Sequence, residues 1–114
     1  MIHYMKLHDR PFEYIKSKIK TIELRLNDEK RSIIKTDDTI IFTKSADENE
    51  SITAKVTGIY KFASFEELYK TLPLEKCGYL PHELSTASPE DMNAYYSTEK
   101  QQKYGVVGIE IQII

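Results

Sequence analysis

In the stretch Lys18-Ile19-Lys20-Thr21-Ile22-Glu23-Leu24-Arg25-Leu26 the apolar residues fall at every second position from Ile22 onward. A β-strand sends successive side chains to opposite faces. Ile22, Leu24 and Leu26 therefore share one face, and Thr21, Glu23 and Arg25 share the other. Two opposite charges and a hydroxyl on one side of a well-formed strand exceed what solubility requires, and they mark a candidate site. Strict alternation would put Lys20 on the apolar face. It reads instead as a turn residue that swings toward the charged side.

The same period recurs along the chain. Ile2–Leu7 forms a first strand, residues 39–43 another, and Ser51–Phe62 a long one with Ile52, Ala54, Val56, Gly58 and Tyr60 on one face. Gly58 inside that strand signals a bulge or a close backbone approach. Residues 106–114 close the chain, with Val107, Ile109, Ile111 and Ile113 alternating against smaller or polar residues. Between the strands lie helix signals. Asp9-Arg10-Pro11 starts a short helix over residues 11–17 that buries Phe12 and Ile15, with Asp9 as its cap. Residues 27–31 open a further short turn carrying Lys30 and Arg31. Ser64-Phe65-Glu66-Glu67 has the pattern of a capping box, Ser88-Pro89-Glu90-Asp91 is a second helix start, and Ser97 caps a turn that ends at Gly105. Residues 74–87 are the least regular. About five strands interrupted by short helices describe an α+β protein built on a small, partly closed barrel.

At 114 residues the chain reads as one domain, 1–114, with an apolar content of 40%. No apolar run approaches a membrane span, and the first residues lack the organisation of a signal peptide, so a cytoplasmic location is expected. The single cysteine, Cys77, forms no internal disulfide and fits a reducing compartment. Net charge is −2, but it is unevenly spread: residues 1–35 carry nine basic and five acidic side chains. Such a distribution suits a local patch for an anionic ligand, not a long nucleic-acid track; a solvated charged face is the alternative. His3, His8, His82 and Cys77 do not make a metal-ligand spacing, and neither a cofactor nor a metal is expected. Cys77 with His82 lacks an activating motif for nucleophilic chemistry.

At Lys20-Thr21-Ile22-Glu23-Leu24-Arg25 the sequence resembles the ASCH family, named for homology to activating signal cointegrator 1. The family signature there is Gly-x-Lys-x-x-Glu-x-Arg, and Lys20, Glu23 and Arg25 occupy its three charged positions. The run from Asp28-Glu29-Lys30-Arg31 through Asp38 and Ile40-Ile41-Phe42, and the ending Tyr95-Tyr96-Ser97 through Tyr104-Gly105-Val106-Val107-Gly108-Ile109, are also similar to this family. The resemblance implies a PUA-like β-barrel of five to six mixed strands with short peripheral helices. It also implies RNA, a nucleotide or a nucleoside as partner, bound in a cleft lined by the signature residues. Some small members resemble amidohydrolases that act on N4-acetylcytidine through a lysine, a threonine and a glutamate; others have been linked to ribonuclease activity.

Two departures stand out. Lys18 replaces the signature glycine, which adds charge and removes a residue tolerant of positive φ. Glu23 stands where the amidohydrolase members carry threonine; Thr21 is the nearest hydroxyl on the same face.

The expected ligand-binding residues are accordingly Lys18, Lys20, Glu23, Arg25, Arg31 and Tyr79. If the protein is an enzyme, Lys20, Thr21, Glu23 and Glu83 are the catalytic candidates. Arg25 would present its planar fork to a phosphate or orient Glu23 beside a base edge. Lys20 would contact phosphate or, once desolvated, accept a proton, or else merely snorkel at a barrel rim. Glu83 is the acid left in the irregular stretch once Glu67 and Glu90 are assigned to helix ends. Tyr79 is the tyrosine chosen to stack on a base. A surface ion pair of about 0–1 kcal/mol is the plainer account of Glu23 and Arg25.

Overall fold

The computed structural model describes residues 1–114. Five of the alternating segments become strands: β1 (Ile2–Leu7), β2 (Ile22–Leu26), β3 (Thr39–Lys44), β4 (Ser51–Phe62) and β5 (Val106–Ile113). They form one sheet in the order β1-β3-β4-β5-β2, with β1 parallel to β3 and the other neighbours antiparallel. The sheet curls into a half-barrel whose edges are β1 and β2. No ladder joins those edges. A side chain spans the seam instead, Arg25 Nη2 on β2 donating to the Lys6 carbonyl on β1 at 3.0 Å.

Inside the curl lies a core that includes Met5, Leu7, Ile40, Phe42, Val56 and Ile109, closed by α1 (Asp9–Lys16) through Phe12 and Ile15. A second core on the other side of β2 and β5 joins Ile22, Leu24 and Leu26 to α3 (Phe65–Thr71) through Phe65 and Leu68. The two faces of β2 therefore have different owners, and its apolar face belongs to the second core.

α1 begins two residues before the expected start. His8 precedes it without a side-chain cap, so Asp9 is not the cap but sits in the first turn, where its charge complements the helix dipole. The end of α1 is more informative. Lys18 N–H donates to the Ile15 carbonyl at 3.0 Å and Ile19 N–H to the Tyr14 carbonyl at 2.9 Å, the paired bonds of a Schellman stop. The donor of the bond that spans fewer residues is the left-handed residue of such a stop, and Lys18 has φ 68°. The position filled by glycine in the family signature is thus a helix stop that delivers the chain to Lys20, whose own N–H is held by the Tyr14 carbonyl at 3.0 Å. A non-glycine left-handed residue costs about 1 kcal/mol or more. Lys18→Gly is expected to raise unfolding stability by about 0.5–1 kcal/mol in urea titrations, with ligand affinity unchanged because the exposed Lys18 does not line the cleft described below.

β4 carries the irregularity that Gly58 announced. Its pairing with β5 shifts register between Val56 and Gly58, so Ile59, not Tyr60, packs on the inner core. Tyr60 turns outward and lies over Gly58, its hydroxyl donating to Glu110 Oε1 at 2.9 Å; a Cβ at Gly58 would come within 2.8 Å of that hydroxyl oxygen.

α2 (Glu29–Ser32) is capped by Asp28, α3 by Ser64, and α4 (Thr98–Tyr104) by Ser97, each accepting a backbone N–H from the first turn. In α3 the Glu67 side chain reaches Ala63 N–H, one residue outside the usual box. The irregular stretch resolves into three 3-10 turns, Leu74–Cys77, Pro81–Thr86 and Pro89–Ala94. The Ser88 start therefore yields a 3-10 turn instead of an α-helix. A proline opens each of the three, fixing φ and forcing the preceding residue to extend, so no long helix propagates. No helix is long and apolar enough to cross a membrane.

A candidate ligand cleft at the barrel seam

Register decides where the charges of β2 go. Glu23 lies opposite Ile109 and Arg25 opposite Val107, and directly opposed residues share a face. Ile109 and Val107 belong to the inner core, so Glu23 and Arg25 point into the concave side of the half-barrel. Glu23 is only 3% exposed. The surface-pair account of these residues is therefore overturned.

At the seam, Glu23 Oε1 meets Lys20 Nζ at 2.7 Å and Glu23 Oε2 meets Arg25 Nε at 2.6 Å. Burial by itself would raise the Glu23 pKa, but the charges and hydrogen bonds of Lys20 and Arg25 outweigh it and hold the carboxylate below its ordinary range. Burial likewise works against the Arg25 cation, and Glu23 more than compensates. Two cations share one anion, leaving one positive charge in excess among groups that are each less than one-seventh exposed. Low-dielectric surroundings amplify such an excess.

These three side chains open onto a cleft of about 440 Å³ that reaches β1, α1, α3 and the 3-10 turns. The stem of Lys20 is steered by Gly78, which sits at φ 107° after the first 3-10 turn; a Cβ there would lie 3.3 Å from Lys20 Cδ. At the rim Arg10 of α1 bonds Glu83 at 2.8 Å and stacks over the Tyr14 ring at 5.3 Å. In the same lining Tyr69, Tyr79 and Asp91 are joined by hydrogen bonds of 2.7 and 2.8 Å.

Of the residues the sequence singled out, Lys20, Glu23, Arg25, Tyr79 and Glu83 come together in this cleft, whereas Lys18, Thr21 and Arg31 do not line it. Thr21 sits at the mouth of β2 with its backbone engaged, its N–H on the Lys76 carbonyl and its carbonyl accepting from Ile111 N–H. Arg31 pairs with Asp28 at 3.3 Å. Glu83 has both oxygens occupied: Oε1 accepts Leu80 N–H at 2.8 Å and Oε2 meets Arg10. The backbone bond and then the arginine hold its pKa below the usual carboxylate range. Tyr95 and Tyr96 line the cleft, but Tyr60 and Tyr104 do not.

Lys6, Arg10, Tyr14, Tyr69 and Asp91 also line the cleft, and sequence reasoning missed them. Arg10 and Asp91 were visible only as members of helix starts, and nothing local links either to β2. Cys77 faces the cleft as a buried thiol whose pKa burial pushes up to about 11, so it stays protonated at neutral pH. No three histidine, cysteine, aspartate or glutamate side chains gather into a metal-holding group.

A curled five-stranded mixed sheet with short helices on its rim, and a signature strand at the open seam, defines an α+β domain of the PUA-like class. Within that class the chain belongs to the ASCH domain family, whose model matches residues 5–114. Among solved structures it is similar to the hypothetical protein PH0355, at 36% identity and TM-score 0.82 with each chain covered in full. It is also similar to protein PF0455 from Pyrococcus furiosus, at 34% identity and TM-score 0.70, covering 100% of this chain and 98% of the other. A mutant of ZmASCH from Zymomonas mobilis shares the fold at 14% identity and TM-score 0.65, over 96% of this chain and 66% of that one. No curated protein matches the chain.

Proposed function

We propose that this protein binds RNA or a nucleotide-like ligand in the seam cleft, with Lys20 and Arg25 receiving an anionic group and Glu23 fixing both. The observation that carries this reading is the excess cation beside Glu23: a partly buried site with one uncompensated positive charge is built to be neutralised by an anion. The nucleic-acid association of the ASCH family supports the same chemistry. The charge pattern favours a short or single-unit ligand, because outside the triad Lys6, Arg10, Lys16 and Arg31, four of the nine basic side chains in residues 1–35, are already ion-paired within the chain. A hydrolytic reading gains less support. Glu23 and Glu83, its two carboxylates, are both held ionised by fixed partners, whereas a general acid must keep its proton near neutral pH.

The test is titration of short single-stranded RNAs and nucleoside monophosphates across a salt series. Affinity is expected to fall with salt, and the slope of log affinity against log salt to drop by about one in Lys20→Ala. Affinity insensitive to both salt and that substitution would remove the cleft from consideration.

A further inference from the structure

The cleft contains a second polar group that the Glu23 triad does not use. The rings of Tyr69 and Tyr79 meet edge to face, centroids 5.8 Å apart at 79°. Their hydroxyls are 2.7 Å apart, and Tyr79 Oη donates to Asp91 Oδ2 at 2.8 Å. Chemistry fixes the direction of this chain. An ionised carboxylate only accepts, so Tyr79 gives its one proton to Asp91 and Tyr69 gives its own to Tyr79. Burial, then the bonds to Tyr69 and Asp91, push the Tyr79 pKa well up, and its hydroxyl stays a donor. Asp91 Oδ2 also accepts Ser88 N–H at 3.2 Å. Both bonds fall on one oxygen, and Asp91 Oδ1 accepts no hydrogen bond from the protein.

The cleft is thus bipolar. One group offers cations; the other is a carboxylate held in place by two donors, with its second oxygen available. The two groups adjoin, since Gly78, against which the Lys20 stem lies, immediately precedes Tyr79. At about 440 Å³ the cleft is in the size range of small-ligand sites, which run from about 300 to 1,000 Å³. Building on the function proposed above, we infer that the cleft receives one nucleotide unit whose base bears an exocyclic amine. Asp91 Oδ1 accepts the amine N–H while the Lys20–Glu23–Arg25 group takes the phosphate. A carboxylate accepts from an amine and meets an oxo group at the same ring position as another acceptor, which leaves both unpaired.

The experiment is calorimetric titration of CMP, UMP, AMP and IMP into the wild type, Asp91→Asn and Tyr79→Phe. The wild type is expected to prefer CMP over UMP, and AMP over IMP, by about tenfold. In Asp91→Asn the amide presents a donor as well as an acceptor, so the preference should fall to about one. Tyr79→Phe keeps the ring but releases the carboxylate, and should weaken the preference without the change at the Ser88 cap that an altered Asp91 brings. Equal wild-type affinity for amino and oxo bases, or a preference that survives both variants, overturns the inference. If that equal affinity still drops in Lys20→Ala, the cleft reading stands without the base preference. If none of the four nucleotides binds, the inference falls, and the proposed function falls with it only if the short RNAs also fail to bind.

Discussion

Arg25→Ala is expected to lower unfolding stability by about 3 kcal/mol or more in urea titrations, a large part of the roughly 5–15 kcal/mol that holds a domain of this kind together. The expectation follows from what the substitution leaves behind. Glu23 stays buried with one cation in place of two, and its Oε2 loses a 2.6 Å partner. The seam also loses the hydrogen bond by which Arg25 on β2 reaches the Lys6 carbonyl on β1. Replacing Glu23 as well, as in Glu23→Gln with Arg25→Met, should not recover the loss, because the Lys20 ammonium, 2.7 Å from Glu23 in the wild type, is then left without its counter-ion. A loss below about 1 kcal/mol in Arg25→Ala would show that the pair behaves as an exposed one.

The pH dependence gives an independent check on the same carboxylate. Glu23 in the folded state has a pKa below its unfolded value. Its contribution is therefore fully present above the unfolded value, about 4.3, and is lost as pH falls through the folded one. Asp38 behaves in the same sense, drawn down to about 2 chiefly by His3, whose Nε2 lies 2.8 Å from it, and then by Lys35 N–H. Wild-type stability should accordingly decline as pH drops below about 4.3, and Glu23→Gln should decline less steeply over that window while the Asp38 contribution persists.

How much of this was legible in the sequence differs between the fold and the site. Strands read well, because period-2 alternation is a local signal and each apolar face found a core: Ile2–Leu7 and Ser51–Phe62 have the expected bounds. The alternation of β2 also correctly separated Glu23 and Arg25 from Ile22, Leu24 and Leu26. It did not say which side was inside. Both faces of β2 are buried because the sheet curls around one and α3 covers the other, and curvature is a property of the whole sheet. Tyr60 was misplaced because a one-residue bulge reverses every later side chain. In the cleft, Lys20, Glu23 and Arg25 lie close together in sequence, Lys20 just before β2 and the other two on it, and a short motif captures them. Arg10 and Asp91 reach the same space from residues far apart in the chain, and only the folded topology brings them there. Lys18 is the instructive intermediate case. Its replacement of glycine reads in the sequence both as added charge and as loss of a residue tolerant of positive φ; the backbone bears on the second, since Lys18 sits at φ 68° in a helix stop.

Lys20→Met is the substitution expected to change ligand affinity most per unit of structural damage. Lys20 supplies the cation in excess: with it removed, Glu23 and Arg25 form a neutral pair and the triad's net charge falls from plus one to zero. A hydrogen bond to a charged group contributes about 1.5–3 kcal/mol, so affinity for a nucleoside monophosphate should drop by about 10- to 100-fold. Stability should change less than in Arg25→Ala, because Arg25 continues to hold Glu23 and the seam. Methionine retains an unbranched stem to lie across Gly78, where the lysine Cδ would approach a Cβ at 3.3 Å, and so separates the loss of charge from the loss of packing. Lys20→Ala, which removes both, should bind no better than Lys20→Met. If Lys20→Met keeps wild-type affinity while Lys20→Ala loses it, the stem and not the ammonium shapes the cleft. The anion would then be received by Arg25 alone.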